Sequence, residues 1–422
     1  ETAHMLMRYA DEDAGRMLAF LKVLIEYARA AKTPLYMLSA TMGSWFEDRI
    51  VEWSGGDAIF FSLGPEDRKN GNRILVRDRE YEEIAKSITW TTQVVDENNV
   101  IDRAADHISS GERVLIVRDT VRQVIDLYNK LVDRGISPVV LHGQLSIEDR
   151  ERAMKRASES RVVVATPVIE AGVNWDFDVG FRDATNAPSI VQVFGRVCRG
   201  RKDYRGHVYI IRPGKADDDV YECVRQVIEF LRAADYIDWR IPYNYSRSGL
   251  EAKGYLNILE VQKIFSKLSP DSEREELFRQ LISPLLITKH QLNEIVKEAG
   301  YSLLREPLIQ IYTGGIDELK SVSGFSDLIG KSMTYNLDLV IHLIRERAVE
   351  GFACVGGNEE GVIDIHWIKP AEKIGVGGYS SRNEYCNLYK ECLSQLDRYR
   401  EKPLFIGFVV RKGVYKSGLG FI

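Results

Sequence analysis

Residues 192–201 read QVFGRVCRGR, placing a glutamine and the arginines 196, 199 and 201 within ten residues. A guanidinium is a planar, permanently charged fork that matches the oxygens of a phosphate. Ser189 follows Pro188 and can cap a short helix there. In that helix Ile190, Val193, Phe194 and Val197 share one face, and Gln192, Arg196 and Arg199 share the opposite one. The apolar face can dock on a sheet while the amide and two guanidinium groups point outward together. A solvated amphipathic helix has the same pattern, so the neighbouring stretches must decide.

Four other stretches offer polar groups where strands are expected to end. SAT (39–41) closes one run, with Ser39 and Thr41. RDT (118–120) closes another, with Thr120 able to meet a phosphate. LHG (141–143) adds His142 and Gly143. VVVATPVIEAGVNWDFD (162–178) supplies Thr166, Glu170, Gly172, Asn174 and Asp176 in sequence.

The elements that must position these residues alternate in kind. RVLIVRD (113–119), PVVLHG (138–143), RVVVAT (161–166) and HVYIIRP (207–213) are short, β-branched and apolar on both faces, and DVGFRD (178–183) can join them. TVRQVIDLYNKLVDRG (120–135) and SIEDRERAMKRA (146–157) separate them with helical spacing. Such alternation implies a parallel sheet covered on both sides, with ligands beyond the carboxyl ends of its strands. Earlier, a helix over about 14–31 leads to PLYMLSAT (34–41), read as one more buried strand. This gives residues 1–55 as the tail end of one lobe, 56–94 as lobe edge and linker, and 95–215 as a second lobe. Residues 216–422 form a separate α+β region, with helices over 217–236, 272–286, 289–304 and 382–400. Its strands are expected at 307–313, 362–368 and 403–410.

The bulk composition sets limits. The 422 residues are 45% hydrophobic and 28% charged, with a net charge of −5, so any nucleic-acid surface must be a local groove. No apolar run reaches membrane-spanning length. The five cysteines are scattered and make no CxxC pair, which suggests neither a disulfide framework nor a zinc site and fits a reducing cytoplasm. Trp45, Trp90 and Trp175 could stack on bases, but packing is the better expectation for each.

Taken in order, these stretches resemble the superfamily 2 helicases. SAT is similar to motif III, VATPVIEAGVNWDFD to motif V, and QVFGRVCR matches the Q-x-x-G-R-x-x-R form of motif VI. VIEAGVNWDFDV, LHGQLSIEDRE (141–151) and GVYKSGLGF (413–421) resemble, more narrowly, the CRISPR-associated (Cas) helicases of type I interference systems. The helicase resemblance covers about residues 1–213.

The resemblance implies an α/β fold in which residues 95–215 are a second RecA-like lobe, preceded by the end of a first and followed by an accessory region. It implies an ATP- and Mg2+-dependent helicase that tracks single-stranded DNA beside a Cascade-type effector complex. Arg196 and Arg199 would be arginine fingers on the γ-phosphate, oriented by Gln192. Ser39 and Thr41 would couple nucleotide state to the DNA surface. Gly172 would bring backbone N–H groups to the nucleotide cleft, and Asn174 would meet a ribose where the family usually has Asp. Thr120, His142, Gly143, Thr166 and Glu170 would touch the strand or its phosphates.

Two departures stand out. ETAH (1–4) resembles the end of the D-E-x-H motif II, with His4 in the histidine place and Glu1 in that of the metal-holding acid. Thr2 then replaces the carboxylate that orients the attacking water. No Walker A pattern GxxxxGK[ST] occurs, so no glycine-rich loop in this sequence cradles the phosphates. The chain is therefore expected to be the C-terminal part of an enzyme whose N-terminal RecA-like lobe lies upstream, and to be inactive alone. Its seven histidines include no HD pair, so an HD nuclease is expected upstream or on a separate subunit. Another superfamily 2 helicase, in DNA repair or RNA processing, and a non-catalytic nucleic-acid or partner-binding module are the alternatives.

Overall fold

The β-branched runs VLIV and VVVA are buried at every position, as strands covered on both faces require. The computed structural model that shows this describes residues 12–39, 41–170, 173–214, 218–262, 267–282, 309–335, 337–357, 363–370, 388–389, 391–394, 396 and 402–421. The chain forms two units, Glu1–Pro138 with Ser160–Arg305, and Val139–Glu159 with Glu306–Ile422.

In the first unit five strands run parallel: β1 (Thr89–Asp96), β2 (Val114–Val117), β3 (Val162–Ala165), β4 (Val179–Asp183) and β5 (Arg205–Arg212). Their order is β1-β5-β4-β2-β3. The α/β class expected from the sequence is thus observed. Strand β1 replaces the linker expected there: TWTTQVVD has three apolar residues in eight, and only Trp90 and Val95 are buried.

The helices of this unit are α1 (Glu12–Ala30), α2 (Ser44–Ser54), α3 (Val121–Asp133), α4 (Ala187–Phe194) and α5 (Ser272–Ile282), with others at Arg79–Ser87, Val100–Ser109 and Asp218–Ala233. Helices α1 and α2 bury Leu18, Leu21, Ile25, Phe46, Ile50 and Trp53 against one another. Phe278 of α5 meets Phe20 edge-on at 5.4 Å, and Lys22 reaches Glu275 at 2.8 Å. Between α2 and β1 lies a three-stranded sheet, Phe60–Leu63, Arg73–Val76 and Arg68–Asn70, where only edge and linker were expected.

PLYMLSAT is not the buried strand expected of it. Residues 33–39 are irregular, and Tyr36 and Leu38 are 86% and 92% exposed. Apolar composition supports a strand only where a neighbouring strand satisfies its N–H and C=O groups. Among the described residues, none pairs with this run.

The second unit is built on a sheet in the order Ser332–Tyr335, Ile309–Tyr312, Lys402–Val410, Val349–Gly357, Ile363–Pro370. Ile309, Phe352, Phe408, Val340 and Leu343 are buried in its core. The strands expected at 307–313, 362–368 and 403–410 are present; the helix expected over 289–304 lies outside the described residues.

Cys354 and Cys392, 38 positions apart, form a disulfide, and Cys198 and Cys223 are free and buried. This corrects the expectation of no disulfide: the pair is assembled by a strand and a distant helical segment, which spacing along the chain cannot reveal. Opening it should cost about 2–4 kcal/mol, the usual range for a disulfide that closes a loop of this kind. Thermal unfolding of Cys354→Ser against the oxidised protein checks this, with the midpoint expected to fall by several degrees.

Candidate functional site

QVFGRVCRGR is not one helix. Helix α4 ends at Phe194, and Cys198 has a φ of 53°. Its N-cap is Asn186, whose side chain accepts the Ser189 N–H at 3.0 Å, rather than Ser189 itself. Ile190, Val193, Phe194 and Val197 are buried as expected, and Trp239 packs edge-on against Phe194 at 4.7 Å. Gly180 on β4 makes room here, since a Cβ would come within 2.7 Å of Val197.

The arginines part company once the helix ends. Arg196 is 6% exposed. Its two Nη groups donate to the backbone carbonyls of Val173 and Glu170, within the VIEAGVN stretch. Burial, then the nearby Arg199, brings its guanidinium down to about 10, so it stays charged at neutral pH. The expectation that it points outward beside Arg199 is corrected: buried carbonyls need donors, and a guanidinium supplies two at once. Arg201 ion-pairs with Asp176 and Asp178. Arg199 is exposed, while its backbone N–H donates to Asp176 Oδ1 at 2.7 Å.

Gln192 and Thr41 are brought together. Gln192 Nε2 donates to Thr41 Oγ1 at 3.3 Å, and Thr41 is fully buried. The Thr41 N–H donates to the hydroxyl of exposed Ser39 at 3.2 Å. Residues from SAT and QVFGRVCR, 151 positions apart, therefore touch directly.

The remaining candidates divide. Thr166 is 7% exposed at the end of β3, and Asn174 is exposed. Glu170 is buried and its carboxylate accepts from the Ser189 hydroxyl, so the expected outward contact with a nucleic acid is corrected. Thr120 caps α3: its hydroxyl accepts the Gln123 N–H at 3.2 Å and donates to Gln123 Oε1 at 3.0 Å. That capping box engages the hydroxyl expected to meet a phosphate. Glu1, His4 and Gly172 lie outside the described residues.

In the second unit, His142 is fully buried, with Nε2 donating to the Leu419 carbonyl at 3.0 Å and Nδ1 accepting the Gln144 N–H at 3.2 Å. With both nitrogens engaged it is a packing histidine and not a phosphate contact. The Gly143 carbonyl accepts from Arg150 at 3.1 Å. Nearby, the Tyr415 hydroxyl accepts the Ser146 N–H and donates to Asp149 Oδ2, both at 2.7 Å. GVYKSGLGF and LHGQLSIEDRE, picked out separately in the sequence, thus form one hydrogen-bonded cluster.

Burial pushes His142 down to about 4. A base held neutral in the fold contributes stability above its unfolded value of about 6.5, and this is lost as pH falls through 4. At about 1.4 kcal/mol per tenfold in proton affinity, the loss approaches 3 kcal/mol. Urea unfolding of the second unit between pH 7 and 4 should show it, and His142→Gln should flatten that part of the profile.

The groups that sequence reasoning missed form a buried ion network at the carboxyl ends of β2 and β4. Arg-Asp recurs at both ends, Arg118-Asp119 just after β2 and Arg182-Asp183 closing β4. The pairs are exchanged between the neighbours. Arg118 Nε donates to Asp183 at 3.0 Å, and Arg182 Nη1 to Asp119 at 2.6 Å. Arg118 also reaches Glu97 at 2.7 Å, and Arg182 Nε donates to Ser189 Oγ at 2.7 Å. Arg182 and Asp183 are at most 1% exposed. Burial and Asp119 push Asp183 up to about 6, against the pull of both arginines. The repeated Arg-Asp was the signal in the sequence; its meaning depends on β2 and β4 being neighbours.

Residues 110–202 match the family model described as CRISPR-associated nuclease/helicase Cas3, C-terminal. A putative CRISPR-associated nuclease/helicase Cas3 of Methanocaldococcus jannaschii is 26% identical over 117 residues, 25% of this chain and 16% of that protein. Among solved structures, T. fusca Cas3 with AMPPNP superposes with a TM-score of 0.50 at 13% identity, covering 76% of this chain and 46% of that one. At that identity the superposition shows a shared fold. The chain spans under half of that structure and about a sixth of the curated relative. The likeness to the C-terminal portion of a Cas3-like superfamily 2 helicase, read first from motifs, holds in these comparisons. No described helix is long and apolar enough to cross a membrane.

Proposed function

We propose that this chain is the C-terminal portion of an ATP-dependent superfamily 2 DNA translocase that unwinds target DNA in CRISPR type I interference. The observation that carries this reading is the Gln192–Thr41 hydrogen bond, which joins the two stretches expected to couple nucleotide state to strand movement. Arg199, exposed beyond α4, would face the terminal phosphate of ATP held by protein outside this sequence. Arg196 fixes the backbone behind it. A guanidinium placed there neutralises charge that grows as the phosphoryl group departs.

ATP with Mg2+ is the nucleotide this reading requires. Among the described residues, Arg199 fits a phosphate and no group of three or more His, Cys, Asp and Glu is arranged for a metal. Magnesium would therefore arrive with the phosphates, and Glu1 remains the residue proposed to help hold it. Thr166 would touch the DNA backbone, a contact blind to sequence, as a translocase needs. A Cascade-type complex and a separate HD nuclease are the proposed partners, in the cytoplasm.

Two titrations test this. Calorimetry with ATP–Mg should give a Kd weaker than about 1 mM for this chain alone, because the phosphate cradle is not in its sequence. Anisotropy with oligo(dT) should show salt-sensitive binding, with little change for a mixed sequence of equal length. Tight ATP binding with no oligonucleotide affinity would overturn the proposal.

A further inference from the structure

The buried Arg-Asp network does more than close the end of the sheet. Its bonds lead from β2 and β4 into the two stretches proposed to work on nucleotide and DNA. Asp119 holds Arg182 at 2.6 Å and accepts the Thr185 hydroxyl, also at 2.6 Å. Arg182 turns its Nε to Ser189 Oγ at 2.7 Å, on the first turn of α4. That hydroxyl, accepting from Arg182, donates its hydrogen bond to the Glu170 carboxylate. The Glu170 carbonyl in turn accepts from Arg196. Each link is polar; Asp119 and Thr185 are half-buried, while Ser189, Arg182 and Glu170 are all less than 5% exposed.

The geometry explains the direction of each bond. A serine hydroxyl has one proton. With Arg182 donating to its oxygen, that proton is left for Glu170 alone. Glu170 therefore sits as an acceptor at a fixed point, and its own carbonyl, with that of Val173, accepts from Arg196. Arg118 and Asp183 form the fixed side of the frame: Asp183 also accepts the Asp119 N–H at 2.8 Å, which orients Asp119 toward Arg182.

We infer that Arg182 and Ser189 are positioning residues that set Glu170, at the end of the Thr166–Glu170 turn, and thereby the strand-binding geometry proposed above. The DNA part of this inference rests on the proposed function; the coupling of Ser189 to Glu170 does not. Removing Arg182 also leaves Asp119 without its buried partner, so the informative change is at Ser189, where one hydroxyl can be deleted with little change in volume.

The experiment is a double-mutant cycle on the full chain, using Ser189→Ala, Glu170→Gln and the pair. The first reading is amide exchange by mass spectrometry. Ser189→Ala should speed exchange in peptides spanning 166–174 by about tenfold, with the 121–133 helix unchanged, because only local opening is affected. Glu170→Gln should add less than about twofold once the serine is gone, since coupled residues are not additive. Ser189→Thr, which keeps the hydroxyl, should restore slow exchange. The second reading is oligo(dT) affinity, expected to fall about tenfold in Ser189→Ala with an unchanged salt slope, because no phosphate contact is removed. Additive effects, or exchange that rises equally in every peptide, would overturn the inference, as would Ser189→Ala with no effect on the 166–174 peptides. If the wild-type chain does not bind oligo(dT), the proposed function fails, and the exchange cycle still decides the coupling. If Ser189→Ala does not fold, Ser189→Cys, with its weaker donor, takes its place in the same cycle.

Discussion

Arg199→Ala is expected to lower ATP turnover by about a thousandfold or more, measured once the chain is joined by protein carrying a phosphate-binding loop. The expectation rests on what each arginine of QVFGRVCRGR touches. Arg196 is engaged by two backbone carbonyls and Arg201 by two carboxylates, which leaves Arg199 as the exposed guanidinium of the three. A group that acts on charge developing in the transition state changes turnover far more than binding. Oligo(dT) affinity should therefore stay within about threefold of wild type, a loss no larger than one screened phosphate contact. Arg199→Lys should recover little, because a lysine keeps the charge and loses the fork. Equal turnover in wild type and Arg199→Ala would remove the assignment. Arg196→Ala should behave differently, weakening folding as well as turnover, because two buried carbonyls would lose their donors.

Arg182→Met is expected to cost about 3–5 kcal/mol of folding stability in the first unit, the usual consequence of leaving one member of a buried pair uncompensated. Its side chain is fully enclosed beside Asp119 and Asp183. The cost comes mainly from the carboxylates left behind, not from loss of a favourable bond. Arg182→Met combined with Asp119→Asn should recover part of the loss, since the half-buried carboxylate left without its arginine is then neutral and can still accept from Thr185. Urea unfolding of the single and double variants measures both. A loss below about 1 kcal/mol in Arg182→Met would show that the pair behaves as an exposed one. The pH dependence gives an independent reading. Burial and the nearby Asp119 raise Asp183 above the ordinary carboxylate range, so its contribution to stability is present at low pH and is lost as pH rises through that raised value. Asp183→Asn should remove that part of the profile.

Sequence reasoning placed the sheet well and the side chains less well. The runs at 113–119, 161–166 and 207–213 are strands because β-branched residues on both faces permit little else. PLYMLSAT is apolar but has no β-branched residue before Thr41 and is not a strand, because strand formation also depends on a partner that composition does not reveal. Helical periodicity put Ile190, Val193, Phe194 and Val197 correctly in the core. It misplaced Arg196, because the helix stops at Phe194 and the chain then turns that side chain inward to the carbonyls of residues 170 and 173. Thr120 and His142 were read for reactivity, while each is held by a local bond: a capping box for one, a carbonyl 277 residues away for the other. The Gln192–Thr41 contact was legible only as two motifs belonging to one site. The Arg-Asp exchange was written twice in the sequence, but its pairing required knowing that β2 and β4 are adjacent.

The most direct test is DNA-stimulated ATP hydrolysis, measured for the 422-residue chain alone and then with a polypeptide supplying the nucleotide-binding lobe. The account predicts no turnover above background in the first case and DNA-dependent turnover in the second. Vigorous hydrolysis by the chain alone, or none in the combined sample under conditions where both parts are folded and associated, would contradict it.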